Sequence, residues 1–270
     1  MLKISKGEQM FWKFISLKKG VSTMDKNKYD SIYDLILSSN NIVFFGGAGV
    51  STASGIPDFR SATGLYNRKN DTGYSPEYML SHEFLIDDPE RFSKYYKENL
   101  IYEDAKPSIT HKVLAKLEKM GKLKAVVTQN IDSLHQMAGS KNVLEIHGNL
   151  RDYYCMSCGK RYKAEEIIPT KGANYCKCGG YIRPDVTLYG EGLNQDIVNQ
   201  AVVAIANADV LIIGGTSLVV YPAASFINFY RGNKCILINK EQGGNDGIAD
   251  YLIHDDLEIF FRGLEEKLDK

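Results

Sequence analysis

Five short apolar runs, each closing on glycine or a polar residue, constrain this chain more than any other feature. They span 41–45, running into Gly46-Gly47-Ala48-Gly49; 125–128; 143–147; 209–213, running into Gly214-Gly215-Thr216-Ser217; and 235–239. Four or five continuously apolar residues are too few for a helix and suit a strand buried on both faces. Helical spacing lies between them. Val113, Leu114, Leu117 and Met120 recur on one face, with Thr110 placed to cap the start and Gly121 to stop the end. An apolar helix is expected after Pro222, and a last one over about 256–268. The tyrosine-rich stretch 61–106 carries no strand signal and predicts helices and a loop. Strands alternating with helices give an α/β fold: a parallel sheet covered on both faces, with the strand C-terminal ends on one rim, where ligands bind. Gly46–Gly49, Thr128–Asp132, His147, Gly214–Ser217 and Asn239 each follow a predicted strand and so gather on that rim.

From 151 to about 184 the periodicity fades, and cysteine, glycine, lysine and tyrosine dominate. Cys155-x-x-Cys158 is followed by Cys176-x-Cys178, with Gly159 and Gly179-Gly180 just behind each pair. Paired cysteines on tight turns supply the four soft ligands of a tetrahedral zinc, and the alternative is four free buried thiols. Four thiolates leave no open position for water, so the expected zinc is structural. The fifth cysteine, Cys235, lies apart in an apolar run, which argues against a disulfide framework and for a reducing, cytoplasmic setting. Lysine plus arginine balances aspartate plus glutamate at 33 each, so a nucleic-acid or membrane partner held by global charge is not expected. No run is long enough to span a bilayer, and the oligomeric state is not legible.

A glycine turn after a strand binds phosphate through exposed N–H groups. Gly47-Ala48-Gly49 alone is a weak signal, and the acidic residue of the ordinary dinucleotide fingerprint is missing. The longer string is more specific. Gly47-Ala48-Gly49-Val50-Ser51-Thr52-Ala53-Ser54-Gly55-Ile56-Pro57-Asp58-Phe59-Arg60-Ser61 resembles the first signature of the sirtuin family. Thr128-Gln129-Asn130-Ile131-Asp132-Ser133-Leu134-His135 is similar to the second, and His147-Gly148 to the third. The cysteine quartet, Arg183-Pro184-Asp185, Gly190-Glu191, Gly215-Thr216-Ser217-Leu218 and Ile238-Asn239 follow in the family order, covering about 30 to the C-terminus.

The resemblance implies a Rossmann-like NAD-binding domain (25–63, 106–150 and 186–270). A smaller inserted zinc-binding and helical domain would comprise 64–105 and the zinc module 151–185; on 1–24, read from its own residues as an N-terminal extension, the resemblance is silent. It implies an NAD-dependent protein-lysine deacylase that releases nicotinamide and O-acyl-ADP-ribose, with acyl-lysine proteins or peptides as substrates. His147 would be the general base, supported by Asn130. Gly47, Ala48, Gly49, Ser51, Thr52, Asp58, Phe59, Arg60, Gln129, Ile131, Asp132, Gly215, Thr216, Ser217, Asn239 and Asp256 would contact NAD. Val186, Thr187, Tyr189, Gly190 and Glu191 would contact substrate. Two other readings stay open: an NAD-dependent protein ADP-ribosyltransferase, and a non-catalytic NAD-sensing module.

Departures from the family pattern qualify these expectations. Gly46 replaces a common threonine, and Thr187 a common apolar residue. Members that remove acidic acyl groups carry a tyrosine with an arginine three residues on; the match here is Tyr96 with Asn99, which predicts acetyl or apolar acyl chains over succinyl. The stretch 1–23, with the lone Trp12, reads either as an extension preceding a start at Met24 or as a helix packed on the domain.

Overall fold

The computed structural model describes residues 28–59, 61, 64–67, 73–240 and 246–270. The expectations for 1–23 and for Arg60 lie outside the described residues. The strands are β1 (Ile42–Gly46), β2 (Leu123–Thr128), β3 (Val143–Glu145), β4 (Gly148–Cys155), β5 (Arg161–Lys163), β6 (Asn174–Tyr175), β7 (Tyr181–Val186), β8 (Val210–Gly214), β9 (Cys235–Ile238) and β10 (Tyr251–Ile253). The α-helices are α1 (Asp30–Ser38), α2 (Pro76–Met79), α3 (His82–Asp87), α4 (Pro89–Leu100), α5 (Ile109–Lys119), α6 (Leu134–Ala138), α7 (Ala164–Ile167), α8 (Gln195–Asn207) and α9 (Leu257–Leu268).

Six strands form one parallel sheet in the order β10-β9-β8-β1-β2-β3. Period-2 alternation splits each buried strand between two cores. Ile42 and Phe44 of β1 join Val113, Leu114, Leu117, Phe260, Phe261 and Leu264 beneath α1, α5 and α9. Val43 and Phe45 join Ala201, Ile205 and Phe226 beneath α8 and the segment after Pro222. Both faces are therefore covered, and continuous apolarity follows from that. The chain runs outward from β1 through β2 to β3, then returns to β8 on the other side of β1. The strand order reverses between β1 and β8, and a crevice opens there at the strand ends. Both glycine turns sit at this reversal.

The second sheet is antiparallel, in the order β5-β4-β7-β6. With α3 and α4 it encloses a third core that holds Phe92, Tyr96, Tyr153, Ile182 and the sulfurs of Cys155 and Cys176. Between Asn149↔Asp185 and Tyr153↔Pro184 the ladder slips, so residues 150–152 bulge from β4. Among the described residues, no helix is long and apolar enough to cross a membrane.

Three local expectations are corrected. Helix α5 starts at Ile109, capped by Ser108, and Thr110 lies inside it fully buried. The cap is a box: the ring of His111 accepts the Ser108 N–H at 3.2 Å, which a reading limited to Glu or Gln at that position overlooks. The run 143–147 stays a strand only to Glu145, because Gly148 at φ 74° turns the chain into β4. The segment after Pro222 is a 3₁₀ helix, Ala223–Phe229. Helices α1 and α8 were not anticipated.

Candidate active site

The two glycine turns are in backbone contact. A Cβ at Gly49 would come within 2.7 Å of Gly215 Cα, and one at Gly47 within 2.8 Å of the Thr216 Cβ. Gly49 N–H donates to Gly215 O at 2.8 Å, with Gly215 at φ 61°. Only residues without side chains let the ends of β1 and β8 approach this closely, so the glycines fix the floor of the crevice.

Polar side chains line that floor. Ser51 Oγ donates to Asp132 Oδ2 at 2.6 Å, and Asn130 Nδ2 donates to Ser51 Oγ and to Gly47 O, both at 3.1 Å. The Leu134 N–H closes on Asp132 Oδ1 at 2.9 Å. Burial pushes the Asp132 carboxyl up, while the Ser51 and Leu134 donors pull it back. Across the crevice Gln129 Nε2 donates to Thr216 Oγ1 at 3.1 Å, and Asn239 Nδ2 to Thr216 O at 2.7 Å. Ser51, Asn130 and Asp132 thus form one hydrogen-bonded set and Gln129, Thr216 and Asn239 a second, and together they come from four strand ends.

His147 stands on the turn between β3 and β4. Its Nδ1 lies 2.9 Å from Gln129 O. A carbonyl only accepts, so Nδ1 carries the proton and Nε2 keeps its lone pair. Burial lowers the imidazole pKa, and the Gln129 carbonyl partly offsets this. A neutral ring with a fixed tautomer can take a proton from a hydroxyl presented at Nε2. Thr187 N–H donates to His147 O at 2.9 Å, which joins the expected substrate segment to the same turn through its backbone, whatever side chain stands there.

Other expected residues fall around this centre. Ala48 and Ser217 lie on the turns, Ser217 exposed. Thr52 Oγ1 bonds Gly49 O at 3.0 Å. Phe59 packs against Tyr66, with centroids 5.5 Å apart, and Asp58 Oδ1 accepts the Ser61 N–H at 2.7 Å. Ile131 packs on the third core. Asp256 caps α9 and pairs with Lys240 at 2.7 Å. Val186 is buried and Gly190 sits at φ 87°. The Tyr189 hydroxyl meets that of Tyr66.

Glu191 is held by several partners within the fold. Its carboxylate grips Arg183 at both oxygens, accepts the Leu188 N–H at 2.9 Å and lies 2.8 Å from His82 Nδ1. Burial would raise its pKa, but the Arg183 bonds and these other partners hold it down at about 2. The side chain shapes the 186–191 segment from within. Sequence reading also missed the Glu145 carboxylate behind His147, because its partners Asn149 and Arg151 meet it only once the bulge forms.

The four cysteine sulfurs lie within 4.8 Å of one another, with Cys155–Cys178 at 3.5 Å and Cys158–Cys176 at 3.7 Å. Sulfurs on a zinc tetrahedron with Zn–S of about 2.3 Å are separated by about 3.8 Å, so the quartet fits that ion. Cys158 and Cys178 are exposed, and so not the buried thiols of the competing reading. Cys155 and Cys176 are buried in the third core, so a metal held by the quartet would fasten the loops to it.

A family model described as Sir2 family matches residues 47–222. An NAD-dependent protein deacetylase of Clostridium tetani is 54% identical over 247 residues, covering 91% of this chain and 99% of that protein. One of Cutibacterium acnes is 47% identical over 222 residues, covering 82% and 91%. Among solved structures, a Sir2–p53 peptide–NAD+ complex aligns with a TM-score of 0.79 at 38% identity, covering 90% of this chain and 99% of that one.

Proposed function

The chain belongs to the Sir2 family and is an NAD-dependent protein deacetylase, and we propose that the crevice between β1 and β8 removes acyl groups from protein lysines with His147 as the proton acceptor. NAD is consumed as co-substrate, and a structural zinc completes the small domain. The overall reaction consumes one water: the acyl group moves from lysine to the ADP-ribose half of NAD, and nicotinamide and the free lysine amine leave. The acyl oxygen itself attacks the nicotinamide ribose, so the protein need not supply a strong nucleophile.

The residues divide the work accordingly. The glycine turns let backbone N–H groups approach the diphosphate. Gln129, Asn130, Asp132 and Ser51 orient the ribose and nicotinamide half, and Thr216, Ser217 and Asn239 the adenosine half. His147 Nε2 takes a ribose hydroxyl proton after nicotinamide leaves, that oxygen bonds the acyl carbon, and a water added to the same carbon completes release of the lysine amine. Val186, Thr187 and Tyr189 border the acyl-lysine, and Phe59 excludes water from above.

The observation that carries this reading is the His147 Nδ1 to Gln129 O bond, which leaves a neutral imidazole with Nε2 as its acceptor. The test is an acyl-lysine peptide panel with NAD, read by mass spectrometry. The wild type should yield free lysine and O-acyl-ADP-ribose, and His147→Ala should yield neither while keeping its fold and zinc. Near wild-type turnover by that variant, or ADP-ribosylated peptide as the main product, would refute the assignment.

A further inference from the structure

His147 and Gly148 are bracketed by one buried carboxylate that the reaction does not consume. Glu145 ends β3 with its side chain only 12% exposed. Its Oε2 accepts Asn149 Nδ2 at 3.1 Å and Arg151 Nη2 at 2.8 Å. These two donors lie beyond His147-Gly148, so the carboxylate spans the turn as a chord, while Gln136 of α6 also holds it from the other side of the chain. Asn149 Oδ1 accepts the N–H groups of Arg151 and Asp152, each at 3.0 Å, and this shapes the bulge at 150–152. From the bulge, Leu150 N–H donates to Ile131 O at 3.1 Å. On the other side of the turn, Ile146 N–H donates to Thr128 O at 2.9 Å.

Among the described residues, the imidazole of His147 has one hydrogen-bond anchor, Gln129 O. Gln129 sits between Thr128 and Ile131, the two residues that hold the turn. The distance from Nδ1 to that carbonyl therefore depends on the span between Ile146 and Leu150, and Glu145 closes the span. A buried ion pair whose cation is 40% exposed is a poor source of stability in itself. We propose that Glu145 is a positioning residue: by drawing Asn149 and Arg151 across the turn, it holds His147 at the angle where Nδ1 meets Gln129 O and Nε2 faces the ribose hydroxyl. This rests on the reading of His147 as proton acceptor.

Nicotinamide release precedes the step that needs the base, so two assays separate the possibilities. Glu145→Ala, Glu145→Gln and His147→Ala are compared with wild type by deacetylation of one acetyl-lysine peptide and by nicotinamide–NAD exchange. Glu145→Ala should lose about tenfold or more in kcat, since a small misplacement of a catalytic group is enough for that. Its KM values should stay within about twofold and its exchange rate near wild type. The acidic limb of its pH profile should move up as the loosened ring becomes more hydrated. Glu145→Gln should restore both, because its amide oxygen can accept the same two N–H groups. Unchanged kcat and pH limb in Glu145→Ala, or an equal fall in exchange and deacetylation, would overturn the proposal. Full deacetylation by His147→Ala would instead overturn the base assignment. If Glu145→Ala does not fold, Arg151→Met decides by the same criteria, with an expected kcat loss of about threefold and exchange retained.

Discussion

Replacing His111 by glutamine should flatten the acid limb of this protein's stability. His111 is fully buried on α5, its ring centroid 4.6 Å from that of the equally buried His135. Burial lowers its pKa from 6.5 to about 4. The folded ring stays neutral while the unfolded one takes a proton below 6.5. The unfolded state therefore binds more protons, and stability falls as pH drops from 6.5 toward 4. The full shift corresponds to about 3 kcal/mol, of which about 2 kcal/mol is already lost at pH 5. Burial and the His111 charge lower the pKa of His135 too, which adds in the same direction. Glutamine can still accept the Ser108 N–H in the capping box but does not titrate. Urea unfolding of wild type and His111→Gln at matched pH values between 5 and 8 isolates the effect, since zinc loss in acid is common to both. The variant should lose about 2 kcal/mol less than wild type over that interval. Parallel pH dependences would show that the imidazole is solvated or already charged in the fold, and would refute the reasoning.

Cys176→Ser should lose zinc and thermal stability together, because binding and folding free energy are one quantity at such a site; a soluble variant that keeps stoichiometric zinc by metal analysis would contradict the quartet. Gly148→Ala should destabilise by more than the ~1–2 kcal/mol of a left-handed alanine, since its Cβ would overlap the Asp185 carbonyl oxygen; a calorimetric midpoint near wild type would count against the turn as described. Glu191→Ala should cost about 3–5 kcal/mol by stranding Arg183, whose side chain is 3% exposed; a variant of normal stability with only a raised peptide KM would return Glu191 to the substrate surface. Acetyl-lysine should turn over faster than succinyl-lysine on the same peptide, because Tyr96 is locked in the third core and Asn99 Nδ2 is bonded to Tyr95 O at 2.9 Å; the reverse order would require a cation elsewhere in the acyl channel.

Five of the six strands of the parallel sheet, its glycine turns and the cysteine quartet were legible in the chain because each is local, while β10 was not. Four or five apolar residues specify a doubly buried strand wherever they occur, and Gly47, Gly49 and Gly215 mark a turn without reference to its neighbour. The segments read less well were those whose burial depends on a partner far away in sequence. Helix α8 buries chiefly Ala201 and Ile205, small enough to give a faint period, and Ser108 outcompetes Thr110 as a cap because a histidine folds back onto it. The chemistry of His147 was named from its place in a family string. Its tautomer, however, depends on Gln129 O, 18 residues earlier, and its orientation on a bulge that exists only when β4 pairs with β7. Likewise the grip of Arg183 on both oxygens of Glu191 exists only in the fold. Composition and spacing determine which groups a chain carries and which local backbone they ride on. Which hydrogen bond or ion pair claims each polar atom is decided by what tertiary packing brings within 3 Å, because a buried polar group must find a partner there.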